Sequence, residues 1–240
     1  MNYQLREALL LLKDISTLQD KHSVQRQSEL ITTISHYQEK GLLALFNLLI
    51  ERKTTSDIFP SYIDAILFKH LYLSDYIEIK KRIQYYFSQG IVELKSFTNV
   101  DYLPLQNLLI KENFQQADRL TQLHLLELAG LNRTTNRQWL YFTDILNLPS
   151  EDLLTIDTLW KIHSKGKFGF SIQRNIWLSN NQNWEKLWDK IGWKTNNTSL
   201  RYPHEFTWDT TAPTGHLPLF NQLRGVQVLY YLFQHPVWEI

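Results

Sequence analysis

The chain has 240 residues, 43% of them hydrophobic, enough to bury one large core or two smaller ones. Twenty-five Lys and Arg against 24 Asp and Glu leave a net charge of +1, which supplies no field to draw in a polyanion and argues against a nucleic-acid partner. The lack of cysteine removes disulfides, thiolate nucleophiles and zinc–thiolate sites, and fits a reducing compartment.

The longest apolar stretch, around Leu42 to Ile50, is interrupted by Asn47. It falls well short of the ~20 residues a bilayer requires, so no transmembrane segment is expected and any membrane contact would be peripheral. The start, MNYQLREALLLL, carries Glu7, has no small-residue cleavage site and no Arg- and Ser-rich transit character, and reads as a mature N-terminus. Sparse Gly and Ala beside plentiful Asn, Ile, Leu and Tyr lean towards an AT-rich organellar genome.

In chain order, the first part reads as about five short amphipathic helices. Leu30, Ile34 and Tyr37 fall at helical spacing, as do Leu45, Leu48 and Leu49. Asp75 with Glu78 three residues later resembles a capping box opening a helix over 76–88, and Gly90 stands where a helix end favours positive φ. All eight Trp lie at or after Trp139, and five of the seven Pro at or after Pro149, so the two halves differ in kind and a boundary is expected between Gly90 and Asp101. We divide the chain into an N-terminal helical bundle, 1–95, and a second domain, 96–240.

In that second domain, Pro104 suits a helix start. Helices are expected over 103–112, 114–129 and 136–146, with Gly130 ending the second. Pro149 then introduces a helix over 152–164, striped by Leu153, Ile156, Leu159 and Trp160. KFGFSIQRNIWL alternates like a strand at Phe168, Phe170 and Ile172, yet pairs Ile172 with Ile176 and Gln173 with Trp177 at helical spacing; helix is preferred. The stretch 195–220 is a long Asn-, Pro- and Gly-punctuated connection of the kind that carries function. Its Tyr202, Phe206 and Trp208 would cost solubility if exposed unless they cover something. Trp139, Trp177, Trp184, Trp188 and Trp193 are expected in the core.

Catalytic constellations are missing: the eight His form no HExxH pair and no short-range ligand set, and there is no nucleophile elbow or phosphate-cradling Gly loop. Glu151, Asp152 and Asp157 lie together, but Glu151 and Asp152 belong in a first turn favoured by the helix dipole. No metal site and no enzyme activity are expected. The last helix places Val226, Leu229, Tyr230 and Phe233 on one stripe, and Asn221, Arg224, Gln227 or Val228, and Tyr231 on another. A face with Asn, Arg and an aromatic suits the rim of an apolar ligand bearing carboxylates.

Taken in order, DYLPLQNLL, RQWLYFTDIL, LPSEDLLTIDTLW, HSKGKFGFSIQRNIWL, KLWDKIGWK, EFTWDTTAPTGHLPLFNQLRG and HPVW resemble the genomes-uncoupled tetrapyrrole-binding family from Asp101 to Trp238. The helical first hundred residues resemble the N-terminal bundle of its cyanobacterial and algal members. The resemblance implies an all-α protein whose second domain is cupped, with an apolar palm for protoporphyrin IX or magnesium protoporphyrin IX. It implies no required cofactor and no catalysis. It implies a partner, the large porphyrin-binding subunit of magnesium chelatase, which such proteins stimulate in chlorophyll biosynthesis.

The family positions carried over are Arg224 and Asn221 in LFNQLRGVQ, with Leu223 between them, and Phe142 and Ile145 after Trp139. Tyr202 stands where the family often has Trp, and Gln227 where it often has a second Arg; both departures should alter affinity. Phe206 completes the expected contacts. Helical interaction modules and haem or bilin binders on the same fold are the alternatives. Localisation is expected in the plastid, in the chloroplast stroma, or in the cytoplasm of a cyanobacterium.

Overall fold

A computed structural model describes residues 3–131, 137–195, 198–219 and 226–239. The chain divides into two compact units, 1–92 and 93–240.

The first unit contains α1 (Tyr3–Asp14), α2 (Lys21–Ser35), α3 (Gln38–Thr55), α4 (Tyr62–Tyr72) and α5 (Ile77–Tyr86). Asp20 starts α2 by accepting from the N–H groups of His22 and Ser23, each at 3.1 Å. Leu12, Ile31, Ile34, Leu45, Leu49, Ile63, Leu67 and Leu71 are buried, so each of α1 to α4 supplies one apolar stripe. Gly41 is required where α3 meets α2: a Cβ there would lie 2.0 Å from the Ile34 carbonyl oxygen.

Within this core, the buried Arg52 holds the Asp64 carboxylate at 2.6 and 3.1 Å and also donates to Ser61 Oγ and the Ser16 carbonyl, both at 3.0 Å. The ion pair is therefore fully hydrogen-bonded, the condition under which a buried pair is tolerated. Gly90 takes φ +79° as expected. The expected Asp75–Glu78 capping box does not form. The helix begins at Ile77, so Tyr76 occupies the cap position and makes no side-chain cap bond. Asp75 instead meets Lys80 at 3.4 Å, and Glu78 meets Arg82 at 2.8 Å.

The second unit holds α6 (Leu103–Ile110), α7 (Phe114–Leu128), α8 (Phe142–Ile145), α9 (Ser150–His163), α10 (Phe170–Ser179) and α11 (Trp184–Lys190). An antiparallel hairpin, β1 (Lys194–Thr195) with β2 (Thr198–Ser199), precedes α12 (Gln227–Phe233) and a 3-10 turn, Pro236–Glu239. The fold class is all-α: the described residues are helical apart from that hairpin and the connections.

The axis of this unit is α9, whose Leu153, Ile156, Leu159 and Trp160 are buried. The Trp160 indole N–H donates to Thr121 Oγ1 at 3.0 Å while Phe114 stacks on its ring at 5.9 Å. Asp152 stands in the first turn of α9, as expected, and does more there than serve the helix dipole. It is buried and accepts from the Phe97 N–H at 2.9 Å, the Tyr102 hydroxyl at 2.8 Å and Ser96 Oγ, tying the segment before α6 to α9. Burial and that carboxylate push the Tyr102 hydroxyl well above the usual phenol range.

Asp157, one turn further along, accepts from the Ser171 N–H at 2.9 Å and its hydroxyl at 2.7 Å, so α9 caps α10. The close approach needs Gly169: its φ is +141° and a Cβ would lie 2.8 Å from Asp157 Oδ1. The helical preference for KFGFSIQRNIWL is borne out from Phe170 onward, with Phe168 buried just before it.

The helix expected over 136–146 is corrected to one turn, Phe142–Ile145. Asp144 accepts from the Tyr141 N–H at 2.6 Å and pairs with the Arg137 guanidinium at 2.9 Å, which fixes the start at Phe142 and holds 137–141 out of helical pairing. Residues 132–136, including the expected helix start, lie outside the described residues.

Candidate functional site

On α12, Val228, Leu229, Leu232 and Phe233 face the core, while Val226 and Tyr230 are 38% and 40% exposed. The expected packing stripe of Val226, Leu229, Tyr230 and Phe233 is thus rotated: Leu229 and Phe233 pack, and Val226 and Tyr230 turn outward. Gln227 is exposed. Tyr231 is half-buried and stacks on Phe142 with ring centroids 5.1 Å apart and planes 27° apart.

Phe142 is 37% exposed on α8, whereas Ile145 is wholly buried beneath it. Of the two, only Phe142 presents a surface to a ligand in this conformation. Tyr141 and Leu146, 52% and 62% exposed, flank it and extend the apolar surface. Asn221, Leu223 and Arg224 lie outside the described residues.

The connection after β2 carries the other candidates. Tyr202 is 40% exposed and meets Trp208 edge-on at 5.9 Å. Phe206, expected as an exposed loop aromatic, is only 5% exposed. It packs on Trp193, Trp208 and His216 at 6.5, 6.3 and 5.4 Å.

His216 explains that burial. Its Nδ1 lies 2.7 Å from the Ile191 carbonyl and its Nε2 accepts the Thr207 N–H at 3.2 Å. Only the neutral ring with the proton on Nδ1 satisfies both, and burial lowers the proton affinity of this histidine to match. Trp193 adds a bond from Nε1 to the His216 carbonyl at 2.8 Å, and Trp208 one to the Pro203 carbonyl at 2.9 Å. Side chains, rather than a backbone ladder, order this long loop.

The rings between these two regions form an unbroken contact chain. Tyr231 meets Tyr230 at 5.6 Å, Tyr230 meets Trp177 at 6.0 Å, and Trp177 meets Trp184 at 4.9 Å. Trp184 stacks on Trp188 at 5.5 Å, and Trp188 on Trp193 at 5.2 Å with planes 7° apart. Trp193 then reaches Phe206. The Trp residues expected in the core divide accordingly: Trp177 and Trp193 are buried, Trp139, Trp184 and Trp188 half-buried. Phe142 and Tyr202, far apart in sequence, are thus the two half-exposed ends of one aromatic frame. Each such contact adds about 0.5 to 1.5 kcal/mol beyond area burial.

The strand of chain leading to α12 is also gripped by side chains. Gln173 Nε2 donates to the Gly215 and Pro218 carbonyls at 2.9 and 2.8 Å, and the Gly169 N–H to the Leu217 carbonyl at 3.0 Å. Asp118 accepts the Leu219 N–H at 2.6 Å. Sequence reasoning missed Asp118, Gln173 and His216. Each looks like an ordinary polar residue, and each bonds a partner 25 to 101 positions away.

The sequence pattern of the GUN4-like family matches residues 95–236. Over its whole length the chain is 45% identical to the ycf53 protein of Porphyra purpurea, covering 99% of that protein. The chain belongs to the GUN4-like family.

The structure of GUN4 from Chlamydomonas reinhardtii is similar at a TM-score of 0.58 and 37% identity, covering 62% of this chain and 95% of that one. A protein of Arabidopsis thaliana named "Tetrapyrrole-binding protein, chloroplastic" is 37% identical over 56% of this chain and 54% of its own length. The resemblance seen in the motifs from Asp101 to Trp238 is therefore borne out.

The GUN4-like match contains every candidate residue from Phe142 to Gln227. It leaves out a cavity of about 440 Å³ in the first unit. That cavity is lined by Lys13, Ser16, Thr17, Leu48, Glu51, Arg52, Thr55, Ser56, Asp57 and Ile58, and contributes no aromatic ring. Among the described residues, no group of three or more His, Asp or Glu is arranged to hold a metal ion, and no helix is long and apolar enough to cross a membrane.

Proposed function

We propose that the chain is a non-catalytic binder of protoporphyrin IX and magnesium protoporphyrin IX, and that it stimulates magnesium chelatase by acting with the large porphyrin-binding subunit. The observation that carries the reading is the half-exposed Phe142–Tyr231 stack beside the outward-facing Val226 and Tyr230, in a GUN4-like chain. A flat macrocycle needs apolar surface to cover, and these half-exposed side chains would supply it. Magnesium, where present, would arrive inside the macrocycle, so the protein need not hold it.

Covering on the order of 300 Å² of ligand carbon at ~25 cal/mol per Å² is worth about 7 kcal/mol before association costs. One charge-assisted hydrogen bond to a propionate adds about 1.5 to 3 kcal/mol. Apolar burial therefore sets the affinity, and Arg224, Asn221 and Gln227 set the orientation. Leu223 and, after a small rearrangement of α8, Ile145 would widen the apolar wall, with Tyr202 and the buried Phe206 closing the far side. Such a protein works in the plastid stroma or the cytoplasm of a cyanobacterium, in keeping with the chloroplastic relative.

The test is magnesium insertion by the chelatase with and without the chain. Stimulation that is weakened at least tenfold by Arg224→Ala is the expected result. Unchanged rates with wild-type chain, at concentrations that saturate with porphyrin, would overturn the chelatase role. Tighter binding of haem or a linear tetrapyrrole in competition would overturn the choice of porphyrin.

A further inference from the structure

The cavity of about 440 Å³ in the first unit has the size of a small-molecule pocket. Its floor comes from α3 and from the turn that follows α1, where Arg52 is 4% exposed and Ser16 8%. The four bonds that satisfy the Arg52 ion pair leave one of its five N–H groups over, the second on Nη1, with no partner among the described residues. The first N–H on that nitrogen holds the Ser16 carbonyl at 3.0 Å, so the spare one lies beside Ser16. The Ser16 hydroxyl, like that of its neighbour Thr17, makes no hydrogen bond among the described residues. An unpaired buried donor is costly, and three donors gathered on one wall call for an acceptor with several lone pairs.

The charges around the cavity define what else the ligand carries. Arg52 is matched by Asp64, and Lys13 by Glu51 Oε2 at 2.6 Å. Asp57, on the loop after α3, is exposed and has no ion pair among the described residues. A simple anion would meet the carboxylates of Asp57 and Glu51 with both lining cations already paired. A single hydroxyl offers two lone pairs, too few for three donors, whereas a carboxylate offers about four acceptor sites and an ammonium three donors. Leu48, buried, and Ile58, 46% exposed, add an aliphatic strip.

We propose that this cavity binds a zwitterionic aliphatic α-amino acid. Its carboxylate takes the donors of Ser16, Thr17 and Arg52, its ammonium meets Asp57 and Glu51, and its side chain lies on Leu48 and Ile58. The site is contained within residues 13–58 and does not rest on the tetrapyrrole reading.

The experiment is a saturation-transfer NMR titration of the full chain with L-leucine, compared with L-glutamate, acetate, ethylamine and glycerol, with the melting temperature of each variant recorded. L-leucine is expected to saturate with a midpoint of about 1 mM, a modest affinity because the rim is open to solvent. Acetate and ethylamine each carry half of the recognition and glycerol carries no charge, so each should bind at least about tenfold more weakly. L-glutamate, whose second carboxylate meets Asp57 and Glu51, should lose about threefold. Asp57→Asn removes a charge that has no ion-pair partner, so its melting temperature should hold while its affinity for L-leucine falls about tenfold. Ser16→Ala should lose about threefold.

No saturable binding of L-leucine to the wild type overturns the proposal, as does unchanged affinity in Asp57→Asn or in a folded Ser16→Ala. Any of the four comparison compounds binding as tightly as L-leucine would overturn the choice of a zwitterion with an aliphatic side chain. If Ser16→Ala does not fold, Thr17→Val decides: a loss of about threefold supports the carboxylate wall, and no change overturns it.

Discussion

His124, His163, His216 and His235 are all buried, and burial lowers the proton affinity of each, that of His163 to about 3. A group whose folded pKa is depressed lends stability above its unfolded value, near 6.5, and loses it as pH falls. Asp118 and Asp157 act in the opposite sense, since burial raises both. The share of stability that His163 supplies should be lost between pH 7 and pH 5. His163 Nε2 is buried without a hydrogen-bond partner among the described residues, so His163→Leu removes a proton acceptor at no cost in bonding. Thermal melts across that range should show a shallower slope in His163→Leu; an unchanged slope means this histidine does not titrate on unfolding. Gly169→Ala should have the opposite character. Its φ of +141° and the 2.8 Å approach to Asp157 mean that a methyl group both strains the backbone and displaces the cap on α10. A loss of about 2 to 4 kcal/mol is expected in urea denaturation.

At the scale of elements, helices with strong periodicity were legible: α6, α7, α9 and α10 fall within a few residues of their expected spans. The failures share a cause. The single turn of α8 depends on the Asp144 carboxylate reaching back to Tyr141 and Arg137, and the loop after β2 depends on His216 and Trp193. Side-chain bonds, over three and seven residues at α8 and over more than twenty in the loop, leave no period in the sequence. Periodicity also misplaced the packing stripe of α12, because Val226 precedes the helix and Leu232 supplies the apolar contact that Tyr230 was expected to make. Phe142, Gln227 and Tyr202 were legible as surface-presenting candidates, whereas Ile145 and Phe206 are buried because their neighbours, not their own spacing, determine exposure. Gln227 opens α12 on the exposed side. Gln227→Arg should tighten deuteroporphyrin binding by about tenfold if a propionate lies within reach, worth about 1.4 kcal/mol in a titration at low salt. Unchanged affinity would place the carboxylates elsewhere.

On the scale of the whole molecule, the GUN4-like match begins at Lys95, close to where the second compact unit starts at Glu93. A chain comprising residues 93–240 is expected to fold and to bind deuteroporphyrin within about threefold of the full chain, since every candidate contact lies in it. Loss of binding in a folded fragment would assign part of the site to the first unit. The frame of Trp177, Trp184, Trp188 and Trp193 runs between Phe142 and Tyr202, so a bound macrocycle at either end would quench tryptophan emission. The most direct measurement is therefore tryptophan fluorescence of the full chain titrated with deuteroporphyrin. Saturable quenching with a midpoint at micromolar ligand, weakened by Arg224→Ala, is the expected result. Quenching that rises only in proportion to ligand, with no saturation and no effect of Arg224→Ala, would contradict tetrapyrrole binding.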